Sequence, residues 1–73
     1  MKSNPLRAWR EIKHKRALDV AIKLGVSEQS VLQYERGSFR PSSENFQKIA
    51  ELMGEDLAKL RLSWAFWEKS QRA

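Results

Sequence analysis

The 73-residue sequence contains no cysteine, so no disulfide staples the chain and thiolate metal or redox chemistry is excluded. Histidine occurs once, as His14 in a lysine-rich stretch. Without a companion ligand or nucleophile it reads as a surface side chain. The longest apolar run, Trp64 to Trp67, is four residues, well short of the ~20 that cross a bilayer and too short for a secretory signal. The three glycines are isolated, which rules out a glycine-rich loop that cradles phosphate. No segment alternates apolar and polar residues as a strand does, and no internal repeat or low-complexity run is present. Glu55 and Asp56 read as helix caps, and Ser42 and Ser43 have no base beside them. These absences argue against an enzyme, and no cofactor or metal is expected. The chain is expected to be soluble and cytoplasmic.

What the sequence does hold is positive charge, unevenly placed. The net charge is +5. Residues 1–23 carry Lys2, Arg7, Arg10, Lys13, Lys15, Arg16 and Lys23 against Glu11 and Asp19, and the remaining residues balance. A basic first third suits a polyanion, either nucleic acid or an anionic membrane surface. A solvated surface that merely keeps the protein dissolved is the plainer alternative.

Start and stop signals then divide the chain into helices. Asn4-Pro5 opens one from about Pro5 to Lys13, Asn capping and Pro at the first helical position. Leu6 and Trp9 mark its inner stripe. A second runs from about Ala17 to Leu24, with Val20, Ala21 and Leu24 inward. The third spans about Glu28 to Arg36 and the fourth about Ser43 to Met53, with Phe46, Ile49, Ala50 and Met53 at helical spacing. Asp56 caps a fifth from Leu57 onward. All three glycines fall just past a helix end. The expectation is an all-α fold, a compact bundle of five short helices forming one domain over residues 1–73.

The stretch LGVSEQSVLQYERG, Leu24 to Gly37, organises this reading. Gly25 can take the left-handed backbone that ends a helix, Val26 anchors a tight turn, and Ser27 caps the next helix. Glu28 then sits in the positive first turn. Val31 and Tyr34 point inward together, leaving Gln29, Ser30, Leu32 and Gln33 outward. A short helix presenting amides and hydroxyls beside basic neighbours suits base edges in a DNA groove.

Laid out in this way, the chain resembles the lambda-repressor/Cro-like helix-turn-helix family, the xenobiotic-response-element type of small DNA-binding domain. The likeness covers roughly Leu6 to Leu60. It is carried by LRAWREIK at Leu6–Lys13, VAIKLGVSEQSVLQYERG at Val20–Gly37 and RPSSENFQKIAELMG at Arg40–Gly54. The resemblance implies that Ala17–Leu24 is the positioning helix and Glu28–Arg36 the recognition helix. It carries base contact onto Glu28, Gln29, Ser30 and Gln33. Gln can pair with adenine through two bonds, and Glu can accept from the cytosine amino group. Phosphate contact falls by the same likeness on Ser38, Arg40 and Ser42 in the loop after the recognition helix. Arg10, Lys15 and Arg16 are further candidates; such contacts set register without reading sequence. Tyr34 matches a core position. Glu35 and Arg36 are a candidate structural pair, and Phe39 is expected to pack beneath its loop.

The chain departs from the family pattern in two places. Arg16 and Ala17 stand where the family opens its second helix with Ser or Thr and then Gln, so the amide contact is not carried over. Lys15 likewise replaces an apolar residue. The second departure is the tail, RLSWAFWEKSQRA at 61–73, which continues beyond the family core of 6–60. Leu57, Leu60, Trp64 and Trp67 share one helical stripe, with Leu62 and Phe66 on another. Ile12, Leu18 and Ile22 are apolar where the family is usually polar. The fifth helix either folds back over the first two or forms a two-fold seam, since exposed apolar patches mark partner sites. The dimer is the expectation, with Leu60, Trp64, Phe66 and Trp67 at the interface and the aromatics serving both purposes. The resemblance thus implies a sequence-specific double-stranded-DNA binder: a transcriptional regulator, expected to be a dimeric, nucleoid-associated repressor reading a palindrome. The alternative is an antitoxin or adaptor that holds a protein partner through its aromatic C-terminal helix; a membrane role is not expected.

Overall fold

A computed structural model describes residues 3–72. Met1, Lys2 and Ala73 of the expected 1–73 domain, and with them one cation of the basic first third, lie outside the described residues. The chain forms α1 (Pro5–Ile12), α2 (Ala17–Leu24), α3 (Glu28–Arg36), α4 (Ser43–Met53) and α5 (Leu57–Arg72), with no strand among the described residues. The helix boundaries follow from local chemistry. Asn4 Oδ1 accepts from the Leu6 and Arg7 amides at 2.9 and 3.2 Å, Ser27 Oγ from Ser30 N–H at 3.1 Å, Ser42 Oγ from Asn45 N–H at 3.2 Å and Asp56 from Lys59 N–H at 3.2 Å. α1 ends one residue before the expected Lys13, which serves as its C-cap. The connection to α2 puts His14 in the left-handed region at φ 56°, a conformation that costs a side-chain-bearing residue free energy.

α2 and α3 form the helix-turn-helix pair and pack on each other, with the small side chain of Ala21 buried in the core. The core joins Leu6 of α1, Val20 and Leu24 of α2, Val31 and Tyr34 of α3, and Phe46 and Ile49 of α4. Leu32, expected outward, is half-buried and packs against this core. Asn4 also ties two elements: it is fully buried, and its Nδ2 donates to the Tyr34 carbonyl at 3.4 Å. The Tyr34 hydroxyl in turn accepts from Asn45 Nδ2 at 3.0 Å, which locks α4 to α3.

α5 folds back within the monomer, chiefly against α4 and α1. Leu60 and Trp64 are 1 % exposed and Trp67 is 5 % exposed. The Trp64 ring meets the rings of Phe46 and Trp67 edge-on, at centroid distances of 5.0 and 6.2 Å. This corrects the expected seam at three of its four residues. Two indoles and a leucine on one stripe fill the space above α4, so they complete the chain's own core and are not free to face a second copy. Phe66, on the opposite side of α5, stays 63 % exposed together with Leu62. Because α5 lies against α4 and α1, it leaves Ile12, Leu18 and Ile22 uncovered. Trp67 also reaches the end of α3: a Cβ on Gly37, which has φ +81°, would lie 2.9 Å from the Trp67 ring.

Candidate nucleic-acid interface

The turn between α2 and α3 sets the recognition helix. Gly25 closes α2 with φ +73°, and its N–H and that of Val26 bond back to the Ile22 and Ala21 carbonyls at 3.3 and 3.1 Å. Val26 then turns into the core as Ser27 opens α3. Glu28 and Gln29 stand exposed on the first turn, and Gln33 is half-buried one turn later. Ser30 differs from the other three. It is half-buried, and its hydroxyl lies 2.9 Å from that of Ser27, so it reinforces the cap and has less freedom to meet a base.

The opening of α2 carries charges of its own. Arg16 is exposed, and its guanidinium donates to Asp19 through Nε at 3.4 Å and Nη2 at 3.2 Å. The Arg16 amide donates to the same carboxylate at 3.0 Å. This is half of a capping box, since arginine has no acceptor with which to return the bond. Hydrogen bonds from the Arg16 side chain and backbone hold the Asp19 carboxyl below its ordinary range. The Asp19 hydrogen bond, and then its charge, hold the Arg16 guanidinium protonated; Glu28 adds a smaller contribution of the same sign. The first residue of the recognition helix therefore lies within electrostatic reach of the start of α2, and Lys15, also exposed, adds to the field on Asp19.

Arg10 is not part of this face. Its Nε and Nη2 donate to Glu35 at 2.7 and 2.9 Å, and Nη1 donates to the Lys15 carbonyl at 3.1 Å. With 16 % of the Arg10 side chain and 4 % of Glu35 exposed, the pair is an interior clamp between α1 and α3. Arg10 thus passes from the phosphate candidates to the framework. Glu35 takes Arg10 as its partner in place of the expected Arg36, because the inward position of Glu35 points at α1 while Arg36 lies at the surface.

The loop after α3 supplies the other flank. Ser38 N–H bonds the Gln33 carbonyl at 3.0 Å, which holds the loop close to the recognition helix. Ser38, Arg40 and Ser42 are all exposed, with Ser42 also capping α4. Phe39 is 57 % exposed rather than packed beneath the loop. Arg40 pairs with Glu68 of α5, a residue that spacing arguments pass over because it lies 28 positions away.

Of the expected site residues, Glu28, Gln29 and Gln33 share the accessible side of α3, and Arg16 lies within electrostatic reach of Glu28. The Ser38 backbone is tied to Gln33, Arg40 is engaged by Glu68 and Arg10 by Glu35. No group of acidic, histidine or cysteine side chains suited to a metal occurs among the described residues, and no described helix is long and apolar enough to cross a membrane. The chain is similar to a segment of the replication factor C small subunit of Methanocaldococcus jannaschii, 33 % identical over 60 residues. That alignment takes in 82 % of this chain but spans 3 % of the length of that protein. No solved structure matches. The helix-turn-helix family model matches residues 6–60, from the start of α1 into α5. The chain belongs to the lambda-repressor/Cro-like helix-turn-helix family of DNA-binding regulators.

Proposed function

We propose that the protein is a sequence-specific reader of double-stranded DNA and acts as a repressor by occupying promoter sites. The observation that carries this reading is the exposed start of α3, where Glu28 and Gln29 face solvent with Gln33 one turn on and Arg16 lies within electrostatic reach of Glu28. Seated in the major groove, Gln29 and Gln33 offer paired donor and acceptor atoms to adenine, and Glu28 accepts from cytosine. Lys15, Arg16, Ser38, Arg40 and Ser42 flank the groove and hold the phosphates. Of the expected dimer seam, Phe66 remains outside the core with Leu62 one turn before it. These two residues are where a second copy would meet the first on a palindrome, with recognition helices about 34 Å apart.

Selection of binding sites from a random duplex pool at about 150 mM salt, where sequence-independent attraction is weakened, tests the reading. A Gln29→Ala/Gln33→Ala protein runs in parallel. Enrichment of a palindrome by the wild type, lost in the variant, is the expected result. An unpaired half-site would keep the reader and remove the dimer. Absence of any enrichment would overturn sequence reading by α3.

A further inference from the structure

Arg40, the phosphate-gripping residue of the reading above, already holds an anion. Its Nε and Nη2 donate to the two oxygens of the Glu68 carboxylate at 3.2 and 2.6 Å. A guanidinium gripping both oxygens of one anion side-on is also the geometry it uses for phosphate. The two partners differ in freedom. The Arg40 side chain is 64 % exposed and that of Glu68 is 20 % exposed. Glu68 rides on the turn of α5 that is anchored by the buried Trp64 and by Trp67, which lies against Gly37. The carboxylate is therefore fixed by packing, and the guanidinium comes to it from the solvent side. Both line a shallow groove with Phe46, Trp64 and Arg61. The Arg61 guanidinium stands 5.4 Å above the Phe46 ring.

We infer that Glu68 is a built-in competitor for the phosphate site of Arg40, and that α5 thereby attenuates the protein's sequence-independent grip on DNA. The inference rests on the DNA-reading function proposed above. While the pair is closed, its charges cancel at the very place where a phosphate would arrive. A DNA phosphate must displace Glu68 or lie beside it, and in either case the gain from neutralising that phosphate is offset. The free protein is thereby less readily held on random duplex, while the base-reading side chains of α3 are untouched.

The test is equilibrium filter binding of the full chain to a random-sequence duplex, across about 50 to 300 mM salt. Wild type, Glu68→Gln, Arg40→Ala and the double variant are compared. The amide keeps the shape of Glu68 and removes its charge, and because the pair lies at the surface its loss leaves the fold standing. One additional neutralised phosphate steepens the slope of log K against log salt by about 0.9, which at about 150 mM is roughly a five-fold tightening. Glu68→Gln is expected to show both changes, and the double variant is expected to show no gain over Arg40→Ala. Three results would overturn the inference: an unchanged slope and affinity, weaker binding by Glu68→Gln, or a gain that persists without Arg40. A wild type that binds no duplex even at about 50 mM salt would instead remove the DNA-reading function itself.

Discussion

At the scale of single residues, the ionic pairs separate into framework and working surface by burial alone. Arg10 and Glu35 sit in the interior with a bidentate bond, whereas Arg7 and Glu11 are both half-exposed on one helix face. Glu35→Ala leaves the Arg10 guanidinium uncompensated inside the protein and is expected to cost about 3 kcal/mol, while Arg7→Ala stays within about 0.5 kcal/mol. Urea unfolding of the two variants measures the difference. On the working surface, Gln33→Ala should lose about 1–3 kcal/mol on the selected site and relax the base preference there. Arg40→Ala should lower specific and random binding alike. Equal losses on every sequence for both variants would reverse these roles. The sequence shows Arg10 and Glu35 each as a charge near apolar neighbours, but their pairing spans 25 positions. Nothing in helical spacing announces it, so Arg10 reads as one more surface cation until the helices are packed.

At the scale of elements, helix ends were the most legible feature, because their causes lie within four residues. Asn4-Pro5 states the start of α1, Gly25 the end of α2, Ser27 with Gly37 and Ser42 with Gly54 both ends of α3 and α4, and Asp56 the start of α5, while α1 ends one residue earlier than expected. The opening of α2 is the exception, since Arg16 cannot accept from the first-turn amides; Asp19 supplies only the reciprocal half of the capping box, accepting from the Arg16 amide from inside the helix. Because this acceptor is a titratable carboxylate, the stability of α2 depends on acid, and Asp19→Asn keeps an acceptor oxygen while removing the charge. The Asp19 carboxyl is held below its usual range when folded, so its contribution is complete above the unfolded pKa near ~4. It fades as pH falls through the lower, folded value. The melting temperature of Asp19→Asn is therefore expected to lie below that of the wild type at neutral pH and to converge with it in strong acid. A difference that persists unchanged at about pH 2 would show that the carboxylate charge is not what closes α2.

At the scale of the whole molecule, the tail is part of the core. The stripe of Leu57, Leu60, Trp64 and Trp67 was visible in the sequence, but what covers it was not. Helical spacing shows which side chains share a face, and it is silent on whether a second copy or the chain's own α4 lies opposite. Trp64 accounts for much of the difference. It is almost wholly buried, and its Nε1 has no hydrogen-bond partner among the described residues. Such a buried donor costs about 1–3 kcal/mol, offset here by a large apolar surface removed from water. Trp64→Ala is expected to destabilise the domain by about 3–5 kcal/mol, a large part of what a domain of this size possesses. Removing residues 62–73 should therefore unfold the monomer rather than merely separate copies. Circular dichroism of the truncated chain checks this, and a fully helical, cooperatively melting product would return the tail to the role of a seam. The contact of Trp67 with Gly37 has one more consequence. The indole lies directly against the backbone where the recognition helix stops, so a shift of that end on docking alters the dielectric surroundings of a natural fluorophore. The unlabelled protein should report occupancy of its groove by a change in its own ultraviolet emission, and Trp67→Phe should silence that signal while Trp9 and Trp64 continue to glow.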